Sequence, residues 1–406
     1  MVRADLLDCI DKFLRLNGKK IDQPFGGIQI IFIGDLYQLP PVVSNHEKEI
    51  FKSYYPTPYF FSARCFKQLE MEFIELDKIY RQSDQYFINL LNAIRNNSIN
   101  DIDIAKINAR YNKDFEPETD DFYIYLTTTN ANAELINIKR LDQINNKEYL
   151  FEGEVEGEFG KDQLPTPTTL KLKIGSQIMM LNNDPNGRWI NGTIGVIVGI
   201  DINEEPAEIK ILLETGTKVN ITPHNWELYN FYLEGTELQS KIVGTYKQYP
   251  LILAWAITIH KSQGKTFEKA ILDIGNGTFA HGQMYVALSR CTSLEGLILK
   301  KEIAKRHIIM DYNVVRFVTQ YQYNKAAALC SIEERIEIIK RAISNKSILN
   351  IIYLKANDEK SVRQIQPINV GEMQYLGRKY LGVEAFCLTQ QSVRVFKVDR
   401  ILDIKS

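Results

Sequence analysis

The spacing of apolar positions changes period several times along the chain, and each change predicts an element. In "RADLLDCIDKFLRLNGK" (3–19) and "QYFINLLNAIRNNS" (85–98) apolar residues recur every three or four positions, which predicts amphipathic helices. "IQIIFIGDLYQLPPV" (28–42) instead opens on a short, Ile-rich apolar run closed by Gly34, the pattern of a buried parallel strand. Such strands carry chemistry at their carboxyl ends. Pro40 and Pro41 force the chain out of the sheet there, so Asp35 and Gln38 are expected on a stiffened turn in the crevice.

Further on, 151–169 is acidic and dotted with Gly and Pro, and reads as a long loop. "LKLKIGSQIMML", "GTIGVIVGI" and "AEIKILLE" are then short β-rich runs parted by turn residues, the plan of a small antiparallel barrel. From 251 the pattern returns to buried strand, then to helical spacing in "GQMYVALSR" (282–290) and strand in "LEGLIL" (294–299), so one α/β unit is expected to be interrupted by a β insertion. Beyond about 330, the amphipathic "SIEERIEIIKRAISNKS" feeds strands at "ILNIIYL" and "VRVFKVDRI", predicting a separate small α+β module.

Composition narrows the classes. A length of 406 residues implies two or three domains. With 45% hydrophobic and 24% charged residues the chain falls in the ordinary globular range. The apolar run "LILAWAITI" (251–259) is too short to span a bilayer and no signal peptide pattern opens the chain, so a cytoplasmic protein is expected. Five cysteines without a C-x-x-C pair argue against a zinc site and a disulfide framework. A net charge of −1 gives no overall attraction to nucleic acid, which leaves local grooves as the place to look.

Five stretches accompany the first in a fixed order: "IYRQSDQYFINLLNAIR" (79–95), "LTTTNANAELIN" (126–137), "IGSQIMMLNNDPNGRWINGTIGVI" (174–197), "AWAITIHKSQGKTF" (254–267) and "GQMYVALSR". With these motifs the sequence over roughly 1–310 resembles the Pif-type branch of superfamily-one DNA helicases, the RecD-like translocases. The resemblance implies an α/β fold of two RecA-like lobes, the first incomplete, with a small Src-homology-type β-barrel inserted in the second. The expected division is 1–75 for the first lobe, 76–169 and 251–310 for the second, 170–250 for the barrel, 311–330 for a linker helix and 331–406 for the terminal module. It also implies ATP and Mg²⁺ as cofactors, single-stranded and forked duplex DNA as partners, and five-prime to three-prime unwinding in repair, replication and recombination at the bacterial nucleoid.

The residues fit that chemistry in their own right. Phosphoryl transfer is mostly positioning and charge neutralisation. Gln38 suits the sensing of attacking water and γ-phosphate; Arg81 and Arg290, forked and permanently charged, suit the neutralising role. A lone Arg is more often in a surface salt bridge, but "YRQSD" and "VALSR" are the family's positions for arginine fingers. Asp35, Gln263 and Gly264 complete the expected nucleotide set. For DNA, Thr127, Thr128 and Asn130 follow one predicted strand and His260, Lys261 and Ser262 another, so both sets are expected at strand ends facing one groove. Trp189 and Tyr285 are candidates for base stacking, with barrel packing equally open for Trp189.

"SQGKT" (262–266) imitates the tail of a phosphate-binding loop, yet the glycine such a loop needs five positions earlier is Ile259. No G-x-x-x-x-G-K-[ST] occurs in the 406 residues. In the family that loop and an Asp-Glu pair lie upstream of text like "MVRADLLDCID", so the chain is expected to be truncated at its amino end and not to hydrolyse ATP alone, with a non-catalytic DNA-binding or ligand-sensing protein as the alternative. The last 76 residues resemble a WYL domain, whose Trp-Tyr-Leu is Lys379-Tyr380-Leu381 here. Tyr353, Arg363, Tyr380, Arg394 and Arg400 are the expected groove, for a nucleotide or a single strand; ordinary surface ion pairs would equally account for the arginines.

Overall fold

The computed structural model describes residues 2–44, 46–76, 78–118, 121–160, 164–234 and 237–405. At its centre is a four-stranded parallel sheet in the order Ala256–Thr258, Ile124–Thr127, Ala270–Asp273, Leu297–Leu299. Both faces are covered, which is why these strands read as unbroken apolar runs. Ile124 and Leu126 face a core shared with helices Gln85–Arg95, Asp101–Asn108 and Gln283–Ser289. Tyr125 points the other way, towards Ala133 on helix Asn130–Asp142.

A five-stranded antiparallel sheet, Leu251–Leu253, Gln177–Met180, Ile194–Asp201, Glu208–Leu213 and Lys218–Ile221, lies in the middle of the chain around its own core of Ile178, Ile197, Ile211 and Leu251. "LILAWAITI" thus divides between two sheets: its first three residues join the antiparallel one, and Ala256–Thr258 the parallel one. A long hairpin, His224–Glu234 with Glu237–Gln248, follows.

The segment expected as a loop at 151–169 is partly strand. Glu148–Glu152 pairs with Thr169–Lys173, and Glu154–Gly157 adds to the edge of the hairpin. All four residues of Glu154–Gly157 are exposed, so no apolar alternation was present to announce them. Residues 161–163 of that segment lie outside the described residues.

The expected strand at 28–33 is also corrected. Residues 28–34 carry no regular structure; Ile31 is 76% and Ile33 93% exposed. A strand needs a neighbour for its backbone groups, and among the described residues before 124 no strand exists to pair with it. Helices Ala4–Asn17 and Lys48–Tyr54 instead pack with Phe25, Ala63 and Cys65 in a small core.

Helix Tyr312–Leu329 ties the units together. Val314, Val315 and Val318 bury Tyr37 and Tyr59, and Phe317 stacks on Phe61 with centroids 4.3 Å apart. Helix Ile332–Asn345 begins with a capping box: Ser331 Oγ accepts from the Glu334 amide at 3.1 Å and the Glu334 carboxylate from the Ser331 amide at 2.7 Å. It packs on a five-stranded antiparallel sheet ordered Ser392–Lys397, Arg378–Cys387, Lys360–Tyr375, Leu349–Leu354, Ile401–Lys405. No helix among the described residues is long and apolar enough to cross a membrane.

Candidate functional site

Although residues 28–34 form no strand, the turn after them is ordered by its own polar groups. Asp35 accepts from the Tyr37 amide at 2.9 Å and from Gln38 Nε2 at 3.2 Å, and the Gln38 amide donates to the Asp35 carbonyl at 3.2 Å. Leu39 anchors the turn in the main core. Gln38 Oε1 then accepts from Gln263 Nε2 at 3.0 Å, joining positions 225 residues apart in the chain.

Residues 263–266 are the common floor of the site. Arg81 Nε donates to Thr266 Oγ1 at 2.9 Å and its Nη1 to the Ser289 carbonyl at 3.3 Å. Arg290 donates to the carbonyls of Lys265 (3.1 Å) and Val286 (2.9 Å) and to Ser289 Oγ (2.9 Å). The expected set Asp35, Gln38, Arg81, Gln263, Gly264 and Arg290 is therefore brought to one place. Gly264 is exposed there with φ +83°, a conformation glycine adopts without strain. The Lys265 ammonium is turned away, onto Asn191 Oδ1 at 3.0 Å, and Ile259 is fully buried, so this segment is no phosphate loop.

Arg290 is only 1% exposed. Burial pulls its guanidinium down to about 10, and the nearby Arg81 charge adds to the effect. Among the described residues neither Arg81 nor Arg290 has a carboxylate within ion-pair distance. Three of five N–H donors on Arg290 are committed to the protein. Two neighbouring cations, one of them buried, thus have no ion-paired acid among the described residues, and the longer-range charge of Asp35 acts on Arg290 in compensation.

Two supporting residues escaped the sequence reading. Gln82, 5% exposed, donates from Nε2 to the carbonyls of Ser289 and Cys291 and so fixes the turn bearing Arg290; its place beside Arg81 in "YRQSD" was the available signal. Gly282, φ +68°, starts helix Gln283–Ser289 so close to the first segment that a Cβ would lie 2.2 Å from the Tyr37 carbonyl. Nothing local in the sequence marks that approach.

The described residues hold no ready-made cluster of metal ligands. Among the described residues no group of three or more His, Cys, Asp or Glu could hold a metal, and Asp35 is occupied by Tyr37 and Gln38.

The other candidate set lies on the same sheet. Ile124–Thr127 and Ala256–Thr258 are parallel neighbours with Thr127 opposite Thr258, so both motifs leave the sheet at one edge. Their side chains differ in availability. Thr127 donates to the Thr129 carbonyl (3.0 Å), Thr128 to Ile274 (3.5 Å) and Ser262 to Ile259 (2.8 Å), and all three are buried. Asn130 and Lys261 are exposed and His260 half-buried. The His260 ring lies nearly parallel to Phe279, 62% exposed, at 6.2 Å, and burial lowers its pKa, which favours the neutral imidazole. Trp189 is 7% exposed, packs in the antiparallel core and donates to Asn182 Oδ1 at 3.1 Å; it offers no base platform. Tyr285 is half-buried against two cores.

In the terminal sheet, register puts Ile351 opposite Arg363 and Ala385 opposite Arg394, so both arginines share the face of the core residues. Tyr353 meets Phe396 edge-on on that face, and the Arg400 charge lies near its phenol. Tyr380 alternates with half-buried Leu381 and buried Val383 and carries Lys397 4.6 Å above its ring, on the opposite face. The expected five-residue groove thus loses Tyr380.

Comparison with known proteins places the chain among relatives. Residues 1–104 match the PIF1-like helicase family and residues 334–406 the WYL domain. The human ATP-dependent DNA helicase PIF1 is 34% identical over 306 residues, 73% of this chain and 44% of its own length. The ATP-dependent DNA helicase Pif1 of Bdellovibrio bacteriovorus is 30% identical over 304 residues, 74% of this chain and 64% of its own. The chain spans about half to two thirds of the length of these curated relatives. Bacteroides Pif1 structures superpose at 36% identity over 79% of this chain and 73% of theirs, with TM-score 0.62 for the single-stranded DNA complex and 0.68 for the ADP-AlF4 complex. On this sequence identity and this shared α/β fold, the chain belongs to the PIF1-like helicase family.

Proposed function

We propose that this chain supplies the sensing and charge-neutralising half of an ATP-dependent DNA helicase site, together with a track for single-stranded DNA. The observation that carries the reading is the convergence of Gln38, Arg81 and Arg290 on residues 263–266, with both guanidinium groups lacking an acid among the described residues. A nucleoside triphosphate, when bound, supplies the terminal phosphoryl group whose oxygens gain negative charge during transfer. Gln38, oriented by Asp35 and Gln263, holds its amide towards that group. Arg81, half-exposed, meets the phosphate oxygens first; Arg290, buried behind it, stabilises the spreading charge. Fingers of this type contribute about 10³–10⁵ in rate. No step is assigned to Mg²⁺.

On this reading residues 1–75 belong to a first lobe, 76–169 and 251–310 to a second, 170–250 to a small inserted barrel and 331–406 to the WYL module. Asn130, His260 and Lys261 line the strand-end edge where single-stranded DNA runs, moving five-prime to three-prime. Arg363, Arg394 and Arg400 offer a nucleotide or a single strand a cationic face on the terminal module. A cytoplasmic setting follows from such a role.

A second reading, DNA binding without turnover, is favoured by one fact: the 406 residues contain no G-x-x-x-x-G-K-[ST] loop. Titration of a fluorescent ATP analogue into the chain tests the cleft. Binding that weakens about ten- to a hundredfold in Arg81→Ala is expected, since each hydrogen bond to a charged group contributes about 1.5–3 kcal/mol. Affinity unchanged in that variant would contradict the reading, and DNA-stimulated ATP turnover by the chain alone would exclude the second.

A further inference from the structure

The turn joining strands Leu349–Leu354 and Lys360–Tyr375 reaches out of the terminal sheet and into the ground beside the cleft. Asp358 in this turn is 6% exposed, with φ +62°. A carboxylate so buried needs partners on both oxygens. One accepts from the Tyr37 phenol at 2.7 Å, across 321 residues of sequence; the other accepts from Gln322 Nε2, on helix Tyr312–Leu329, at 3.1 Å. Arg95 lies over the Tyr37 ring at 4.3 Å and its charge acts on the carboxylate as well. Asn357 Nδ2 donates to the Asn96 carbonyl at 3.1 Å, which caps the helix that follows Arg81, and Lys360 pairs with Glu75.

Tyr37 immediately precedes Gln38. Its backbone is pressed from the other side by Gly282 and, through the Leu36 carbonyl, by His281 Nε2 at 3.0 Å, at the start of the helix that ends at Arg290. The short turn 35–38 is thus clamped between the Arg290 helix and Asp358. With no sheet at residues 28–34 to hold it, these contacts act together with Leu39 in the main core and with Gln263 to set its orientation.

We propose that Asp358 is a positioning residue for the nucleotide cleft: by holding the Tyr37 phenol it fixes the backbone that presents Gln38, so that the terminal module completes the site from outside it. The proposal rests on the reading of Gln38 given above. It assigns the module a function that does not depend on any ligand of its own. It also explains why a turn of that module carries a buried acid at all, since a solvated turn would leave Asp358 exposed.

Amide hydrogen exchange on the full 406-residue chain tests it, in the parent and in Asp358→Ala, Asp358→Asn and Tyr37→Phe, alongside the affinity of a fluorescent ATP analogue. The Tyr37 and Gln38 amides, bonded to Asp35, are expected to exchange about tenfold faster in Asp358→Ala and Tyr37→Phe, and the analogue to bind correspondingly more weakly, with helix Ile332–Asn345 unchanged. Asp358→Asn is expected to restore the parent values. Its carbonyl still accepts from Tyr37, and its amide faces Gln322, whose Oε1 is buried and without a partner among the described residues and becomes an acceptor when that side chain flips. Exchange at 36–38 within twofold of the parent in both Asp358→Ala and Tyr37→Phe would overturn the proposal whatever the analogue does. An analogue that fails to bind the parent would instead overturn the cleft reading, and the exchange rates would still decide whether Asp358 positions the turn.

Discussion

Arg290 is the buried cation of the cleft proposed to hold a nucleotide. Its three hydrogen bonds hold the guanidinium plane, and burial beside Arg81 makes its charge unfavourable unless an anion arrives. Lysine cannot reproduce that fork. Arg290→Lys is therefore expected to weaken ATP-analogue binding about tenfold or more while leaving a cation in place, read by the same titration. Gln82 gives a second test at this scale. Removing its amide takes a donor from the Cys291 carbonyl and leaves the Ser289 carbonyl only its bond from Arg81, so Gln82→Ala should lower unfolding stability by about 1–3 kcal/mol in urea melts; an unchanged midpoint would show that the turn holds itself. Gln38, Arg81 and Arg290 were legible because each sits in a distinctive string of residues. Asp358 was not: its partners Tyr37 and Gln322 are fixed by tertiary packing, and "ANDEK" reads as any polar turn.

Elements were legible where one face meets a core and obscure where none does. The helices Ala4–Asn17, Gln85–Arg95 and Ile332–Asn345 carry apolar stripes and appear as expected. Residues 28–33 show the other side: an apolar run specifies a strand only in company, and here the hydrogen-bonding neighbour is absent among the described residues. The loop 182–193 is ordered by polar contacts. Asp184 accepts from the Asn186 and Arg188 amides at 3.1 Å and pairs with the Arg188 guanidinium at 2.8 Å, which holds its carboxyl down to about 2. Between that value and the ordinary 3.8 the unfolded chain binds the proton first, so the stabilisation is complete above about pH 4 and is lost as pH falls through 2. Acid titration followed by Trp189 fluorescence should show this step, and Asp184→Asn should remove it; a step retained in the variant would assign it to another group.

At the scale of the whole molecule, helix Tyr312–Leu329 joins the amino-terminal core to the terminal sheet, with Phe317 against Phe61 on one side and Gln322 against Asp358 on the other. Phe317→Ala should cost about 1.5–3 kcal/mol, and should unfold the amino-terminal helices ahead of the rest, seen as two transitions in a melt; a single unshifted transition would deny the helix that role. The net charge of −1 hides the proposed DNA edge, because the cations that matter there are few and local. Lys261 is the exposed cation of the candidate DNA set, so Lys261→Ala should make the salt dependence of single-stranded DNA binding shallower by about 0.7 in log–log slope. An unaltered slope would place the strand elsewhere.

The most direct test of the central claim is a structure of this chain with ADP and aluminium fluoride, the mimic of a phosphoryl group in transit. The fluoride oxygen-equivalents are predicted within about 3 Å of the Gln38 amide and of the Arg81 guanidinium, with Arg290 directly behind. A mimic bound away from residues 263–266, with Arg81 still on Thr266 and Gln38 still on Gln263, would contradict it.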